Sequence, residues 1–539
     1  MTQIRFNAAT ALLVAALLVG CAPGPPQSAA PTPSIAAALR PQEQPTGAAA
    51  PKPAPDARVT ISTAGATPIS PLIYGMSGAP PAVQEAVRPT LASWGGNPST
   101  RYNWRLGNAW NAARDWEYRN TDYANPPTAA DDFVAEALAG GAEVRLALPA
   151  LGWVAANSDR ERCSFPLPGG GCGDADGADC TRPGPVADPA RTSVRTDVDA
   201  AVAWVRHLRE RGLRVRFFAI DNEPELWGIT HYDVHPTCTT YAEIRDTYLR
   251  YASAVRAAAP EAELLGPVTC CWHFYWNSAA GEDDKRANGG QDFLPWFLQQ
   301  VRAHDERAGV RTLDVLDIHY YPEGLYNDKT DPDTAAHRLR STRSLWDERY
   351  VDESWIGEPV ALIPRMRALI DAYYPGTKLG ISEWNWGGDQ HISGALAIAE
   401  VLGIFGREGV YLASYWRSPP PDSPGMFAFQ LYGNYDGQGG RFGDQSLPTE
   451  VDGSGDLGVF ASRETTTGRL KVMFINKSPS RKLFVETMLD RKLLQNPAKL
   501  YRYSASFPQG ISRAEADLGQ GGLALPPSSI SLLVIEGAR

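Results

Sequence analysis

The chain has 539 residues, a formal net charge of −10, 43% hydrophobic and 21% charged residues. This length calls for a large core domain plus a second one, and the acidic balance excludes the basic stripe of a nucleic-acid binder. Fifteen tryptophans, all between Trp94 and Trp416, assign the aromatic surface to one domain.

The N-terminus reads as an export leader. Arg5 supplies a charge and Ala8 to Val19 an apolar stretch too short to span a bilayer. It ends in Leu18-Val19-Gly20-Cys21, which resembles a bacterial lipobox and implies cleavage before Cys21, acylation of that cysteine and anchoring to a membrane at the cell envelope or surface; plain secretion is the alternative. Residues 22–57, rich in Pro, Ala, Gln and Ser, are too poor in large apolar groups to fold and read as a tether.

Eight candidate strands follow, separated by helix-length segments such as Asp197 to Arg211 and Thr240 to Ala259. They are Leu72–Met76, the stretch before Trp94-Gly95-Gly96-Asn97, Val144–Pro149, Val215–Ile220, Glu263–Val268, Val315–Tyr320, Leu379–Trp384 and Val410–Trp416. Short apolar runs with punctuation at both ends read as strands buried on both faces, and eight of them alternating with helices predict an α/β (β/α)8 TIM barrel over residues 71–430. Beyond residue 430 the texture changes to short runs such as Leu470–Asn476 and Ser531–Ile535 between Gly-, Ser-, Pro- and Asp-rich turns. This predicts a C-terminal β-sandwich over 431–539, joined by an N-terminal strand within 58–70, where Arg58 to Ser62 alternates. The expected role of the sandwich is packing support for the barrel.

Besides Cys21 there are six cysteines. In an exported chain they point to disulfides rather than metal thiolates. One bridge is expected within Cys163, Cys172 and Cys180, and another from Cys238 to Cys270 or Cys271. Between two of them, Asp174-Ala175-Asp176-Gly177-Ala178-Asp179 resembles part of a calcium loop, with Asp174, Asp176 and Asp179 as oxygen ligands of a structural Ca2+. It lacks the closing glutamate of an EF-hand, and a solvated acidic loop is the competing reading.

Two glutamates carry the functional argument. Glu223, in Asp221-Asn222-Glu223-Pro224, ends the fourth strand; Glu383, in Ser382-Glu383-Trp384-Asn385-Trp386, ends the seventh. Carboxyls at the C-terminal ends of barrel strands sit where such barrels keep their chemistry. Two of them set among tryptophans and asparagines point to glycoside hydrolysis, which needs a proton donor and a carboxylate across a sugar ring. Strands four and seven face each other across the barrel mouth, so a separation of about 5–5.5 Å, and hence retention of configuration, is expected. Glu223, preceding a proline, is expected in extended backbone. Asn222 would address the 2-hydroxyl, and among His319, Tyr320 and Tyr321 a tyrosine would donate to Glu383. Asn97, Trp104, Trp227, Trp272, Trp276, Trp386 and Trp416 are candidate sugar contacts.

The run Asp221 to Trp227, continued by Thr230-His231 and Val234-His235-Pro236, resembles the signature of glycoside hydrolase family 44. So do Trp94-Gly95-Gly96-Asn97 with Tyr102-Asn103-Trp104, Arg343 to Trp346 with Asp352 to Ile356, and Asn434-Tyr435-Asp436-Gly437. The resemblance, over residues 58–539, implies a monomeric retaining endo-β-1,4-glucanase that also cuts xyloglucan and needs no cofactor for catalysis. Glu223 is its acid/base and Glu383 its nucleophile. The family's frequent Glu-Tyr-Asn is here Glu383-Trp384-Asn385, a change expected to bear on sugar contacts. Two carboxylates alone do not name the sugar, so a mannan, xylan or arabinan hydrolase stays open. A non-catalytic polysaccharide-binding lipoprotein is the reading from another class.

Overall fold

The computed structural model describes residues 54–122, 130–488, 495–518 and 522–537. The leader, Cys21 and most of the tether lie outside the described residues. Eight parallel strands close a barrel in chain order: Gly75–Ser77, Leu91–Trp94, Glu143–Leu148, Phe217–Ile220, Glu263–Thr269, Val315–Tyr320, Lys378–Trp384 and Leu412–Tyr415. The first begins later than expected. Pro71–Ile73 is instead a 3-10 turn, because Pro71 sets its first position and the Ser70 hydroxyl accepts from the Leu72 N–H.

Alternation along these strands divides the core. Phe217 and Ala219 point into the barrel with Leu91, Ala147, Leu265, Val315 and Leu412, while Phe218 and Ile220 face the helix layer. The helices start where side chains satisfy their free N–H groups. The Asp197 carboxylate caps Val198–Glu210 and the Thr240 hydroxyl caps Tyr241–Ala258. The last barrel helix, Pro424–Gly433, runs past the expected domain boundary at residue 430.

The sandwich has a four-stranded and a seven-stranded sheet. In the first, Ala57–Ile61 lies between Thr449–Gly453, antiparallel, and Leu483–Met488, parallel. In the second, Thr67–Pro68 pairs with Gln445–Leu447 at one edge. The central strands Leu470–Asn476 and Ser529–Ile535 are buried along their whole length. Val472, Phe474, Leu533 and Ile535 meet Val59, Leu483 and Val485 in the sandwich core, while Met473, Ile475, Leu532 and Val534 join the main barrel cluster. The barrel helix Ile392–Glu408 fills that contact; Gly403 lets Phe460 of the sandwich lie directly on it.

Two disulfides close loops above the barrel: Cys163–Cys172 and Cys180–Cys238. The first falls within the expected trio. The second corrects the expected pairing of Cys238 with Cys270 or Cys271. The loop after strand three folds onto the segment after strand four, where the Cys180 N–H donates to Gly228 O, bringing Cys180 beside the segment that carries Cys238. Cys270 and Cys271 instead end strand five as free thiols. The Cys270 N–H donates to Glu225 there.

Candidate active site

The turn that presents Glu223 is built on Asp221. This buried carboxylate accepts from the Thr100 hydroxyl, the Trp227 indole and the N–H groups of Ala150, Leu151 and Asn222. Burial raises its proton affinity and these donors oppose that rise. Asp221 (φ 64°) and Glu223 (φ 43°) both take left-handed backbone, correcting the extended conformation expected before Pro224. The chain must reverse from strand four into the 3-10 turn Pro224–Leu226, and the Glu223 N–H donates sideways to Val268 O of strand five. Strain in non-glycine residues persists where surrounding bonds over-determine it.

Glu383 is aimed by a β-bulge. Strand seven pairs Gly380 with Asp317 and Ile381 with Ile318, but His319 with Glu383, leaving Ser382 as the extra residue. Strict alternation would send Glu383 outward with Leu379 and Ile381. The bulge turns it into the barrel beside His319 and sends Trp384 outward. There the Trp384 ring meets Phe405, Tyr415 and Phe429 in the core, so it does not touch sugar, contrary to expectation.

The buried His319 ring joins the two glutamates. Its Nδ1 lies 2.8 Å from Glu223 Oε1 and 3.4 Å from Glu383 Oε2. One oxygen from each glutamate and this nitrogen all lie within 4.8 Å of one another. Burial lowers the affinity of the ring for a second proton, so a single N–H serves whichever carboxylate is ionised. The Tyr321 hydroxyl donates to Glu383 Oε2 at 2.9 Å. Glu383 Oε1 accepts no protein hydrogen bond among the described residues.

Environment separates the two carboxyls. Burial, then the Asp115 carboxylate, pushes Glu223 up to about 8. Burial also pushes Glu383 up, to about 7, but His319, Tyr321 and Arg145 pull it down. His319, Tyr321 and Arg145 thus favour the ionised form of Glu383, while burial and a like charge favour the protonated form of Glu223. Arg145 comes from strand three and forms a fully buried ion pair with Asp317 of strand six below the site, at 3.1 Å. Neither was singled out from sequence, although opposite charges inside two otherwise apolar strands were a signal.

The walls follow. Asn222 accepts from the Gly96 N–H at 3.1 Å, which fixes its amide beside Glu223. Trp416 lies over Gly96 at the barrel mouth: a methyl group built on Gly96 would come within 2.2 Å of the indole. Asn385 donates to Trp416 O and accepts from the Tyr415 hydroxyl, tying the ends of strands seven and eight. Asn97 donates to Asp115 at the rim.

Other candidates pack into the protein. Trp227 is buried behind the Glu223 turn, held by Asp221 and His235. Trp386 is fully buried, its indole donating to Ser341. Trp104 lies on the helix layer, donating to Ala200 O and packing on His207. Trp272 and Trp276 pack on each other and on Arg365. In each case the indole N–H or ring is committed to protein. The calcium reading gains no support. Asp179 turns its carboxylate to Thr181 and Arg182 of its own turn, and among the described residues Asp174, Asp176 and Asp179 form no cluster of converging oxygens.

Comparison with known proteins agrees with this geometry. The model of glycoside hydrolase family 44 matches residues 109–324. CelM2, a bifunctional glucanase-xylanase from a metagenome library, is 33% identical, with a TM-score of 0.83 over 90% of this chain and 100% of that one. A Paenibacillus polymyxa xyloglucanase from family 44, solved with xyloglucan, is 27% identical with a TM-score of 0.76, over 89% and 100%. Endoglucanase A of Paenibacillus lautus is 30% identical over 459 residues, 79% of this chain and 64% of that protein. The chain spans less than two thirds of the length of the curated relatives it matches. With this barrel, this sandwich and these two glutamates, the chain belongs to glycoside hydrolase family 44.

Proposed function

We propose that the chain is a retaining, endo-acting β-1,4-glucanase acting on cellulose-type glucan and xyloglucan. The observation that carries this reading is the single imidazole nitrogen in reach of both carboxyls, whose oxygens lie within 4.8 Å. That closeness favours direct attack by Glu383 over an inverting pair held about 6.5–9.5 Å apart for a water. Glu223 gives its proton to the glycosidic oxygen as the C–O bond breaks, and Glu383 Oε1 bonds to the anomeric carbon. Water then surrenders a proton to Glu223 and displaces Glu383, so two inversions restore the original configuration. Tyr321 and His319 hold Glu383 ionised in the first step. The polysaccharide range rests on the xyloglucanase and endoglucanase relatives; the glucanase-xylanase relative favours xylan as a second substrate.

The test is incubation with carboxymethylcellulose, xyloglucan, mannan and xylan, following reducing ends, viscosity and the anomer first released by proton NMR. A fast viscosity drop on the first two with β-product is expected. An α-product would overturn retention, and cleavage of mannan or xylan alone would overturn the substrate. Glu223→Gln should lose about 10²–10⁴-fold on natural glycosides, and unchanged cleavage would refute its role. A binding protein would cut none of the four. We further propose, from Leu18-Val19-Gly20-Cys21, that the enzyme is exported and lipid-anchored through Cys21. Labelled palmitate should enter the parent and not Cys21→Ser.

A further inference from the structure

We propose that Cys270 and Cys271 form a modification site: a dithiol that a small-molecule disulfide oxidises to a bridge between the two neighbours, which disturbs the catalytic pair beside it. The effect on activity rests on Glu223 and Glu383 being that pair; the thiol chemistry does not.

Among the described residues four cysteines are paired, as Cys163–Cys172 and Cys180–Cys238, and these two neighbours remain as thiols. Cys270 is buried and Cys271 partly exposed, so a reagent meets Cys271 first. The Cys270 thiol donates to the Cys271 sulfur, which favours Cys271 as the thiolate, the reactive form. Burial and the carboxylates of Glu225, Glu223 and Glu323 outweigh that bond, so both sulfurs rest as thiols. Neither takes part in glycoside cleavage.

The roles divide accordingly. The Cys271 thiolate attacks one sulfur of the reagent, and the other sulfur leaves as a thiolate that takes up the proton Cys271 lost. Cys270 then gives up its proton and attacks the Cys271 sulfur, expelling the second half of the reagent as a thiol. Two protein thiols are oxidised and one disulfide is reduced to two thiols. Neighbouring Cα atoms across a trans peptide are about 3.8 Å apart, short of the roughly 4.4–6.8 Å of an ordinary disulfide. Closing this ring must therefore turn the peptide between the two cysteines, and the bridge it forms is strained and easily reduced.

That peptide is tied to both glutamates. Upstream, the Val268 carbonyl accepts from the Glu223 N–H, and the Thr269 hydroxyl and Cys270 N–H donate to Glu225 on the Pro224–Leu226 turn. Glu225 is fully buried and its other oxygen has no partner among the described residues, so losing the Cys270 N–H takes a donor from a buried carboxyl that has few. Downstream, the Cys271 carbonyl accepts from the Phe274 and Tyr275 N–H groups in the helix Trp272–Trp276. The Tyr275 hydroxyl in turn donates to the carbonyl of His319, whose ring bridges Glu223 and Glu383. Side chains close the contact: Cys270 packs with Leu226 and Phe274, and Cys271 and Ile229 lie against them. A turn of the 270–271 peptide thus acts on the Glu223 turn from one side and on His319 from the other.

The experiment treats the full-length chain with an excess of oxidised glutathione and follows two readouts together: the mass of the peptide that contains Cys270 and Cys271, and the rate on xyloglucan. The peptide should lose two hydrogens as the rate falls several-fold, and dithiothreitol should restore both. Cys271→Ser, compared with its own untreated rate, should keep that rate under the oxidant. A peptide that keeps both thiols, or that stops at one attached glutathione, overturns the proposal. So does a bridged protein that cuts xyloglucan at the untreated rate, or a Cys271→Ser protein inhibited as strongly as the parent. Should Cys271→Ser fail to fold, the peptide mass and the rate of the parent decide alone. If the untreated parent cuts no β-glucan, it is the reading of Glu223 and Glu383 that fails, and the peptide mass still decides the thiol chemistry.

Discussion

Tyr321→Phe removes one hydroxyl whose single partner in the site is the nucleophile, at 2.9 Å. A hydrogen bond to a charged group contributes about 1.5–3 kcal/mol. Here the lower end applies, because His319 at 3.4 Å and the Arg145 charge still act on Glu383. About 1.5 kcal/mol corresponds to roughly tenfold in the ionisation equilibrium of Glu383. The sign follows from the direction of the bond. Tyr321 stabilises ionised Glu383, so its loss raises the affinity of Glu383 for a proton and leaves fewer molecules with a nucleophile near neutral pH. The acid limb of kcat/KM should therefore move to higher pH while the alkaline limb, governed by Glu223, stays. With Glu383 at about 7 in the parent, its ionised fraction at pH 7 falls from about one half to about one tenth, so kcat/KM on xyloglucan oligosaccharides should fall about fivefold. The assay is initial rates across pH for parent and variant, with circular dichroism as a folding control. A parent-like acid limb, or movement of the alkaline limb alone, would refute the assignment of Tyr321 to Glu383.

Gly96→Ala adds a methyl 2.2 Å from Trp416 at a left-handed position (φ 77°); displaced Trp416 and Asn222 should lower kcat/KM about tenfold or more, with strain of about 1–3 kcal/mol read by urea unfolding. Asp317→Ala leaves Arg145 buried without its counter-ion, so stability should fall by about 3–5 kcal/mol, and a loss below 1 kcal/mol in denaturant unfolding would contradict the pair. Cys238→Ser opens a bridge across a sequence separation of 58 residues, worth up to about 4 kcal/mol by chain entropy. Thiol counting should find two thiols in the denatured, unreduced parent lacking Cys21 and three in that variant.

The eight barrel strands were legible because each is a short apolar run with turn residues at both ends, and Glu223 and Glu383 stood out as carboxyls at the ends of such runs. The tryptophans were not separable in the same way. Trp416, Trp386 and Trp227 all follow strand ends in sequence, yet Trp416 lies over Gly96 at the mouth while the other two are buried. A strand end states that a residue is near the mouth and says nothing of whether its ring turns inward to the cleft or outward to the helices.

Alternation of two residues per repeat is a local property, so strand number, order and the identity of the two carboxyls follow from the sequence itself. The direction of Glu383 does not: it depends on Ser382 being left unpaired against strand six, a matter of register between strands 60 residues and more apart. The left-handed turn at Glu223 likewise needs Val268 of strand five and the five donors to Asp221, which come from three separate segments. Chemistry-bearing residues are thus named by local pattern, while their aim, their spacing and the division of one proton between them are set by contacts that exist only once the barrel has closed.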